Sequence, residues 1–272
     1  MPNPHLPPEM LDHVVSHLHD TENALRNCCL VSKSWIPRTR KHLFADVGPR
    51  TSHSVRSWKR TFPDPENSPA CYTKTLCIGL YIIAAGDTEV GGLLRDFSRV
   101  VRLEVGSMGV GSLVGTSEVS FILFYGFSLT LKSIRVVAPA IPSSRLFKFI
   151  LSFPLLEDLA VTVHRPPTDN ADGSGEDETS TATQLLNSPI FTGTIELHLK
   201  GGMEPFARRL LSLPGGIHPR KLALTWLHEE DLFTIMALVE ACAHTLESLH
   251  IACDLPYVHS VFASVPITYL CF

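Results

Sequence analysis

Four short stretches repeat one apolar pattern: VVRLEV at 100–105, LKSIRV at 131–136, LEDLAV at 156–161 and LESLHI at 246–251. In each stretch the first, fourth and sixth residues are apolar, and most of the residues between them are polar or charged. Alternation of apolar and polar residues over the last three positions is typical of a β-strand with one buried face. The sequence therefore predicts a series of similar strands.

The central residue of this pattern recurs at a nearly regular spacing. Weaker copies raise the number of central positions to eight, at residues 76, 103, 134, 159, 197, 222, 249 and 270. The steps between them are 27, 31, 25, 38, 25, 27 and 21 residues. The longest step contains an acidic loop at 165–183, which we expect to be flexible. Because the motif alone arises by chance in an apolar chain, the spacing carries the prediction of repeated units.

Helical patterns lie between these strands, over 90–97, 145–153, 204–213 and 232–245. A strand followed by a helix every 25 to 27 residues resembles a leucine-rich repeat of the longer, helical kind. The resemblance implies that 72–272 form an α/β solenoid with parallel strands. A single α/β domain built from βαβ units is the alternative.

The last copy of the pattern, Ile267-Leu270-Phe272, ends the chain without a polar capping segment. An uncovered terminal repeat exposes apolar surface and a strand edge. We therefore expect either that the repeat array is truncated here or that this end aggregates or binds a partner.

The first fifty residues have a different pattern, typical of three short helices. Pro8 and Glu9 suit the start of a helix, whose apolar stripe is predicted at Leu11, Val14, Val15 and Leu18. A second helix is expected after an N-cap at Asp20, and a third apolar cluster runs from Leu30 to Phe44, with Pro37 in its first turn or at a kink. Three helices in about forty residues bury too little to be stable alone, so a partner or the rest of the chain must cover them.

The order and spacing of these residues resemble the F-box, particularly its fungal form. The matching positions are Leu6-Pro7-Pro8-Glu9-Met10-Leu11, Val14-Val15, Leu18, Leu25, Cys28, Leu30-Val31-Ser32-Lys33, Trp35 and Leu43-Phe44. The resemblance implies a three-helix module, at 1–48, that docks on the Skp-type adaptor of a cullin ubiquitin ligase. It assigns interface and core roles to Leu6, Pro7, Leu11, Val15, Leu18, Leu30, Val31 and Trp35.

Turn-forming residues at 49–71 are expected to form a linker, with a short helix around Ser54 to Arg60.

Composition narrows the class of protein further. The chain has 272 residues, of which 44% are hydrophobic and 18% charged, which is too apolar for a disordered protein. A net charge of −4 provides no overall basic field, so we expect no nucleic-acid partner. The start of the chain has no signal peptide pattern, and no apolar run is long enough to cross a bilayer, so we expect a cytoplasmic or nuclear protein. Seven cysteines without a CxxC motif are expected to be mostly reduced thiols.

Motifs for catalysis or metal binding fit the sequence poorly. The stretch Gly106 to Gly115 follows a strand, but its third glycine comes one place too late for a dinucleotide fingerprint, which favours a turn between repeats. His13 and His17 lie four residues apart without a third ligand, which favours solvated histidines over a zinc site. The acidic residues from Asp169 to Glu178 lack EF-hand spacing. We expect no catalytic residue, no cofactor and no metal.

Two classes of function follow from these observations. The leading hypothesis is a non-catalytic substrate receptor, in which the N-terminal helices bind the Skp-type adaptor and the repeats bind a protein target. The alternatives are a small α/β enzyme that binds a nucleotide at the glycine-rich stretch, and a repeat scaffold that makes no contact with a ligase.

Overall fold

A computed structural model of the chain describes residues 7–49, 51–79, 92–106, 129–138, 143–164, 189–199, 203–227 and 231–253. Within these ranges it shows seven α-helices, two 3-10 turns and eight β-strands, and residues 92–94 are also helical. The helices are α1 (Pro8–His17), α2 (Glu22–Val31), α3 (Ile36–Leu43), α4 (Ser52–Thr61), α5 (Ser143–Leu151), α6 (Met203–Leu211) and α7 (Leu232–Cys242). The 3-10 turns are Pro65–Asn67 and Pro69–Tyr72. The strands are β1 (Asp46–Val47), β2 (Thr75–Gly79), β3 (Arg102–Gly106), β4 (Ser133–Ala138), β5 (Asp158–Val163), β6 (Thr194–Leu199), β7 (Lys221–Leu227) and β8 (Ser248–Cys253).

The eight strands form one sheet in which every neighbouring pair is parallel and the spatial order equals the chain order. Where the structure describes most of the connection between two consecutive strands, that connection contains a helix. Helices α5, α6 and α7 are examples. An all-parallel sheet with intervening helices agrees with the predicted α/β class and with a repeat-like architecture.

The predicted apolar pattern coincides with the register of the sheet. The central residues of successive strands lie opposite one another in a single row: Leu76, Leu103, Ile134, Leu159, Ile195, Leu222 and Leu249. The row differs from the predicted spacing at β6, where Ile195 takes the place expected for Leu197. The steps along the row are then 27, 31, 25, 36, 27 and 27 residues.

The core lies between the apolar face of the sheet and the helices. Alternate strand residues are buried, for example Leu159, Val161 and Val163 on β5. Phe147 of α5 contacts Phe206 of α6 edge to face, with ring centroids 5.9 Å apart. These residues belong to one continuous apolar cluster that runs along the sheet. The opposite sheet face carries the half-buried and exposed residues of each strand, and it is mostly polar.

The first three helices have a smaller core of their own. Its buried apolar residues are Leu11, Val15, Leu25 and Cys28, and none of them belongs to the apolar cluster of the sheet. Pro8 occupies the first turn of α1, and Pro37 occupies the first turn of α3 without a kink. The second helix is preceded by Thr21 rather than by the predicted Asp20 cap. Leu30 and Val31 end α2 instead of beginning the third apolar cluster.

The segment expected to be a linker packs on the sheet. Its helix, α4, contributes the buried Val55, and Trp58 packs against the apolar cluster. Trp58 contacts Phe44, Phe62 and Phe97 with ring centroids 5.0–5.8 Å apart. β1 pairs with β2, although it lies inside the segment expected to be the N-terminal module. The physical reason is that aromatic side chains of this segment cover the apolar side chains of the first strands.

Several predictions fall outside the described residues. They concern Leu6, residues 90–91 of the helix expected at 90–97, the glycine-rich stretch beyond Gly106, the acidic loop at 165–183 and the final triple Ile267-Leu270-Phe272. In the described part of that expected helix, residues 92–94 are helical, and Leu93, Leu94 and Phe97 are buried. In the part of the chain that the structure describes, no helix combines the length and the apolar character needed to cross a membrane.

Candidate functional site

Helix α1 has one face toward the small core and another toward solvent. Leu11 and Val15, which are one turn apart, are buried, and α1 packs on α3. Met10 and Val14 are exposed, as is Pro7 just before the helix. Residues at i, i+3 and i+7 share one helix face, so Pro7, Met10 and Val14 present apolar atoms on the same side. Val14, which belongs to the predicted apolar stripe, is therefore a surface residue.

The end of α2 adds two strongly exposed apolar side chains. Leu30 is 86% exposed and Val31 is 69% exposed. Burial of a Leu or Val side chain stabilises a protein by roughly 1.5–3 kcal/mol, and neither residue gains this within the described structure. Together with Pro7, Met10 and Val14 they form what we call the exposed apolar set. A concentration of exposed apolar residues is typical of a surface that binds another protein.

The residues that the F-box resemblance assigns to the site thus fall into distinct groups. Pro7, Leu30 and Val31 are exposed, Leu18 and Trp35 are half-buried, and Leu11 and Val15 lie in the small core. Leu6 lies outside the described residues. Sequence reasoning quoted Met10 and Val14 in the motif but assigned neither of them to the site. Their helical spacing from Pro7 was the signal that could have identified them.

Contacts between the helices hold the exposed apolar set in place. Arg38 Nε of α3 lies 2.6 Å from Asp12 Oδ1 of α1, which joins the first helix to the third. Thr39 of α3 is fully buried, and its hydroxyl lies 2.8 Å from Cys29 Sγ of α2, which joins the second helix to the third. Thr73 Oγ1 donates to Phe44 O at 2.9 Å, which ties the end of α3 to the chain entering β2. The helices therefore present their apolar surface from a fixed position next to the sheet.

The polar sheet face is a second candidate surface. Its central row runs across seven strands through Cys77, Glu104, Arg135, Ala160, Glu196, Ala223 and His250. A depression of about 370 Å³ lies on this face between β3 and β6. Its walls include Arg102, Glu104, Arg135, Asp158 and Glu196. Charges of both signs alternate across it.

Most charges in this depression are paired within the chain. Arg135 Nη2 lies 3.4 Å from Glu196 Oε2, and the two residues reach each other over the small Ala160 of the strand between them. Glu104 lies opposite Arg135 in the register and accepts a hydrogen bond from Cys77 Sγ at 3.3 Å. Such exposed pairs contribute little to stability, but they fix a pattern of charge that a binding partner has to match.

Burial shifts the pKa of one titratable group on each side of the sheet. Burial lowers the pKa of His198; Glu196 opposes this shift, and Arg135 and His250 add to it. His198 Nδ1 is hydrogen-bonded to Thr225 Oγ1. On the helix side of the sheet, burial raises the pKa of the Cys242 thiol to about 11, so that thiol is a packing group at neutral pH. Within the described ranges, no three His, Cys, Asp or Glu side chains come together as metal ligands.

Comparison with known proteins identifies the N-terminal helices. A family model described as the F-box domain matches residues 4–36, which include α1, α2 and the first residue of α3. No curated protein and no solved structure was found to match the chain.

Proposed function

We propose that this chain is the substrate-receptor subunit of a Skp–cullin–F-box ubiquitin ligase, with its N-terminal helices bound to the Skp-type adaptor. The observation that carries the proposal is the F-box domain match at residues 4–36. F-box proteins generally act as adaptors without catalytic chemistry of their own. In this role the protein would work where such ligases assemble, in the cytoplasm or the nucleus. As part of the same proposal, the F-box is of the fungal type.

The exposed apolar set supports adaptor binding by the N-terminal helices. Leu30 and Val31 are exposed together at the end of α2, and Met10 and Val14 are exposed on α1. If both α2 residues are buried by a partner, transfer free energies of roughly 1.5–3 kcal/mol each contribute a large share of the binding free energy. Leu11 and Val15 act indirectly, because they hold the helices in position.

The sheet is proposed to bind the target protein. We propose that its in-order, all-parallel strands are a degenerate leucine-rich-repeat-like solenoid, supported by the repeat of about 27 residues in the register. The polar sheet face supports this proposal, because it has both charged side chains and a depression. A target that fits it needs charges of both signs, arranged to complement Arg102, Glu104 and Asp158.

Adaptor binding is tested with the full chain and a purified Skp-type adaptor by isothermal titration calorimetry. The variant Leu30→Asp/Val31→Asp changes two exposed residues, so the fold is expected to remain intact. We expect its affinity to fall at least roughly 100-fold, because two apolar contacts are lost and two charges would be desolvated. A substitution at Leu11 is unsuitable for this test, because Leu11 is buried and its loss would unfold the small core.

The matched control is Leu129→Asp/Leu155→Asp, which introduces the same charges at two exposed leucines outside the N-terminal helices. This variant is expected to bind the adaptor as the wild type does. Circular dichroism checks that all three proteins are folded. A folded wild type that does not bind the adaptor would overturn the proposed function, and equal binding by both double variants would overturn the role of Leu30 and Val31.

A further inference from the structure

A pair of histidines bridges the two loops that lead into β7 and β8. His218 Nδ1 lies 2.9 Å from His244 Nε2, and the rings are nearly perpendicular, with centroids 5.0 Å apart. The two residues are 26 positions apart in the chain, and they belong to neighbouring strand–helix units. His218 is half-buried and His244 is exposed, so solvent ions can reach the pair.

The position of one proton in this pair follows from a backbone contact. His218 Nε2 lies 3.0 Å from the carbonyl oxygen of Gly215. A carbonyl oxygen only accepts hydrogen bonds, so His218 Nε2 carries the proton and donates it. In the neutral ring His218 Nδ1 then has a free lone pair, which is directed at His244. The loop is held by Gly216, whose φ of 68° lies in the left-handed region that favours glycine.

We propose that His218 Nδ1 and His244 Nε2 bind a divalent first-row transition metal ion, with Zn²⁺ as the representative ion. Imidazole nitrogens are suitable ligands for Zn²⁺, Ni²⁺ and Cu²⁺. Two Zn–N bonds of about 2.0–2.1 Å at a tetrahedral angle place the nitrogens about 3.3 Å apart, which requires the rings to separate by roughly 0.4 Å. The metal takes the place of the proton that His244 Nε2 donates to His218 Nδ1, and that proton moves to His244 Nδ1, so both rings bind the metal as neutral imidazoles.

The contact with Gly215 is the feature that distinguishes this pair. Histidines that bind metals usually donate their second ring N–H to a carbonyl or carboxylate, which fixes the tautomer and the ring orientation. His218 already makes that contact. His13 and His17 also approach each other, with their Nε2 atoms 3.1 Å apart, but both lie on α1, and within the described structure neither has a comparable carbonyl contact. The other metal positions are assigned to water, consistent with the absence of three-ligand groups within the described ranges.

Metal binding at this pair would connect two neighbouring units of the sheet. The loops before β7 and β8 are already joined by hydrogen bonds from Glu247 N and Ser248 N to Arg220 O, and by Thr245 Oγ1 to Pro219 O. A ligand that binds only the folded state raises the free energy of unfolding by RT ln(1 + [L]/Kd), so the stabilisation grows with the ligand concentration. The site is therefore expected to stabilise the end of the sheet, independently of adaptor binding.

The test uses the full chain carrying His13→Ala/His17→Ala, so that the α1 pair does not contribute. Zn²⁺ is titrated by calorimetry, and the unfolding temperature is measured with and without Zn²⁺. We expect saturable binding and a higher unfolding temperature. The further substitution His218→Ala or His244→Ala should weaken the binding at least roughly tenfold, which is 1.4 kcal/mol, and remove the thermal shift. His250→Ala, which removes a histidine from the polar sheet face, is the control and should bind as the parent does.

Two results would overturn the proposal. One is the absence of saturable Zn²⁺ binding by the parent chain, and the other is unchanged binding after either substitution in the pair. His244 is exposed, so the His244→Ala variant is expected to fold. This variant still tests the proposal if the His218→Ala variant does not fold. Mg²⁺, which prefers oxygen ligands, should produce no thermal shift that depends on either histidine.

Discussion

Gly193 lies where the chain enters β6, close to the carboxylate of Asp158. Asp158 Oδ1 accepts a hydrogen bond from Thr194 N at 2.7 Å, which satisfies the first backbone N–H of the strand. A Cβ atom at Gly193 would lie 3.0 Å from Asp158 Cγ and 3.2 Å from Glu157 O. The backbone of Gly193 also receives hydrogen bonds from Arg220 N and Lys221 N. A side chain at this position would therefore disturb contacts with both neighbouring strands.

We expect Gly193→Ala to lower the free energy of unfolding by about 1–3 kcal/mol, the usual cost of forcing extra atoms into a packed site. Urea unfolding followed by circular dichroism measures the change. Gly215→Ala is the matched control, because its Cβ would meet nothing closer than Ile190 Cγ1 at 3.8 Å. The control should stay within about 0.5 kcal/mol of the wild type. Equal stability of the two variants would show that Asp158 moves away at no cost.

At the residue scale, the sequence predicted apolar positions more reliably than it predicted their environment. Leu11 and Leu30 are both apolar and both match the F-box pattern, yet one is buried in the small core and the other is exposed. Helical periodicity identifies a stripe, but it does not say whether the chain itself or a partner covers that stripe. The pairing of His218 with His244 was not predictable, since it depends on two loops that only the sheet brings together.

At the scale of single elements, α4 shows how a short polar helix is held on the core. Thr51 Oγ1 accepts a hydrogen bond from Ser54 N at 3.0 Å, and Ser54 Oγ accepts one from Thr51 N at 2.9 Å. This reciprocal arrangement is a capping box, which satisfies backbone N–H groups at the start of the helix. The helix then places Val55 and Trp58 on the apolar cluster.

Loss of this cap is expected to destabilise the protein without changing its core. Thr51→Ala should lower the free energy of unfolding by about 1 kcal/mol, the usual effect of removing an N-cap side chain. Thr61→Ala removes the same side chain at the end of the same helix, where its hydroxyl only donates to Ser57 O. The control should change stability by less than about 0.5 kcal/mol. Thermal unfolding compares them, and a larger effect at Thr61 would contradict the role of the cap.

The positions of the strands were predictable where the apolar pattern fitted the sequence at only one position. The triples at β3, β4, β5 and β8 lie in the register as expected. At β6 two triples two residues apart fit the chain equally well, because strand alternation has a period of two. Pairing with Leu159 and Leu222 selects Ile195, and sequence alone contains no information about that pairing.

At the scale of the whole molecule, burial decreases toward the last described strand. Leu159 on β5 and Leu222 on β7 are buried, whereas Leu249 in the same row on β8 is only partly buried. Ile251 of β8 is also only partly buried. Within the described ranges, no strand pairs with the outer edge of β8. The apolar face is therefore covered less completely at β8 than at the earlier strands of the same row.

This decrease in burial predicts that the same substitution lowers the free energy of unfolding by different amounts at equivalent positions. Leu159→Ala should lower the free energy of unfolding by about 2–5 kcal/mol, because it removes fully buried atoms and leaves a cavity. Leu249→Ala should cost roughly half as much or less, because part of its side chain is already solvated. Urea unfolding of the two variants tests the difference. Equal losses would mean that β8 is covered as fully as β5.

The agreement between strand order and chain order also bears on how the protein is made. Every strand from β2 onward pairs with a strand that the ribosome has already synthesised. Each new unit can therefore add to a finished edge as it emerges, and no strand has to wait for a pairing partner from later in the chain. Apart from the outer edge of β1, which is the same at every stage, the growing chain then has one advancing edge to protect while translation continues.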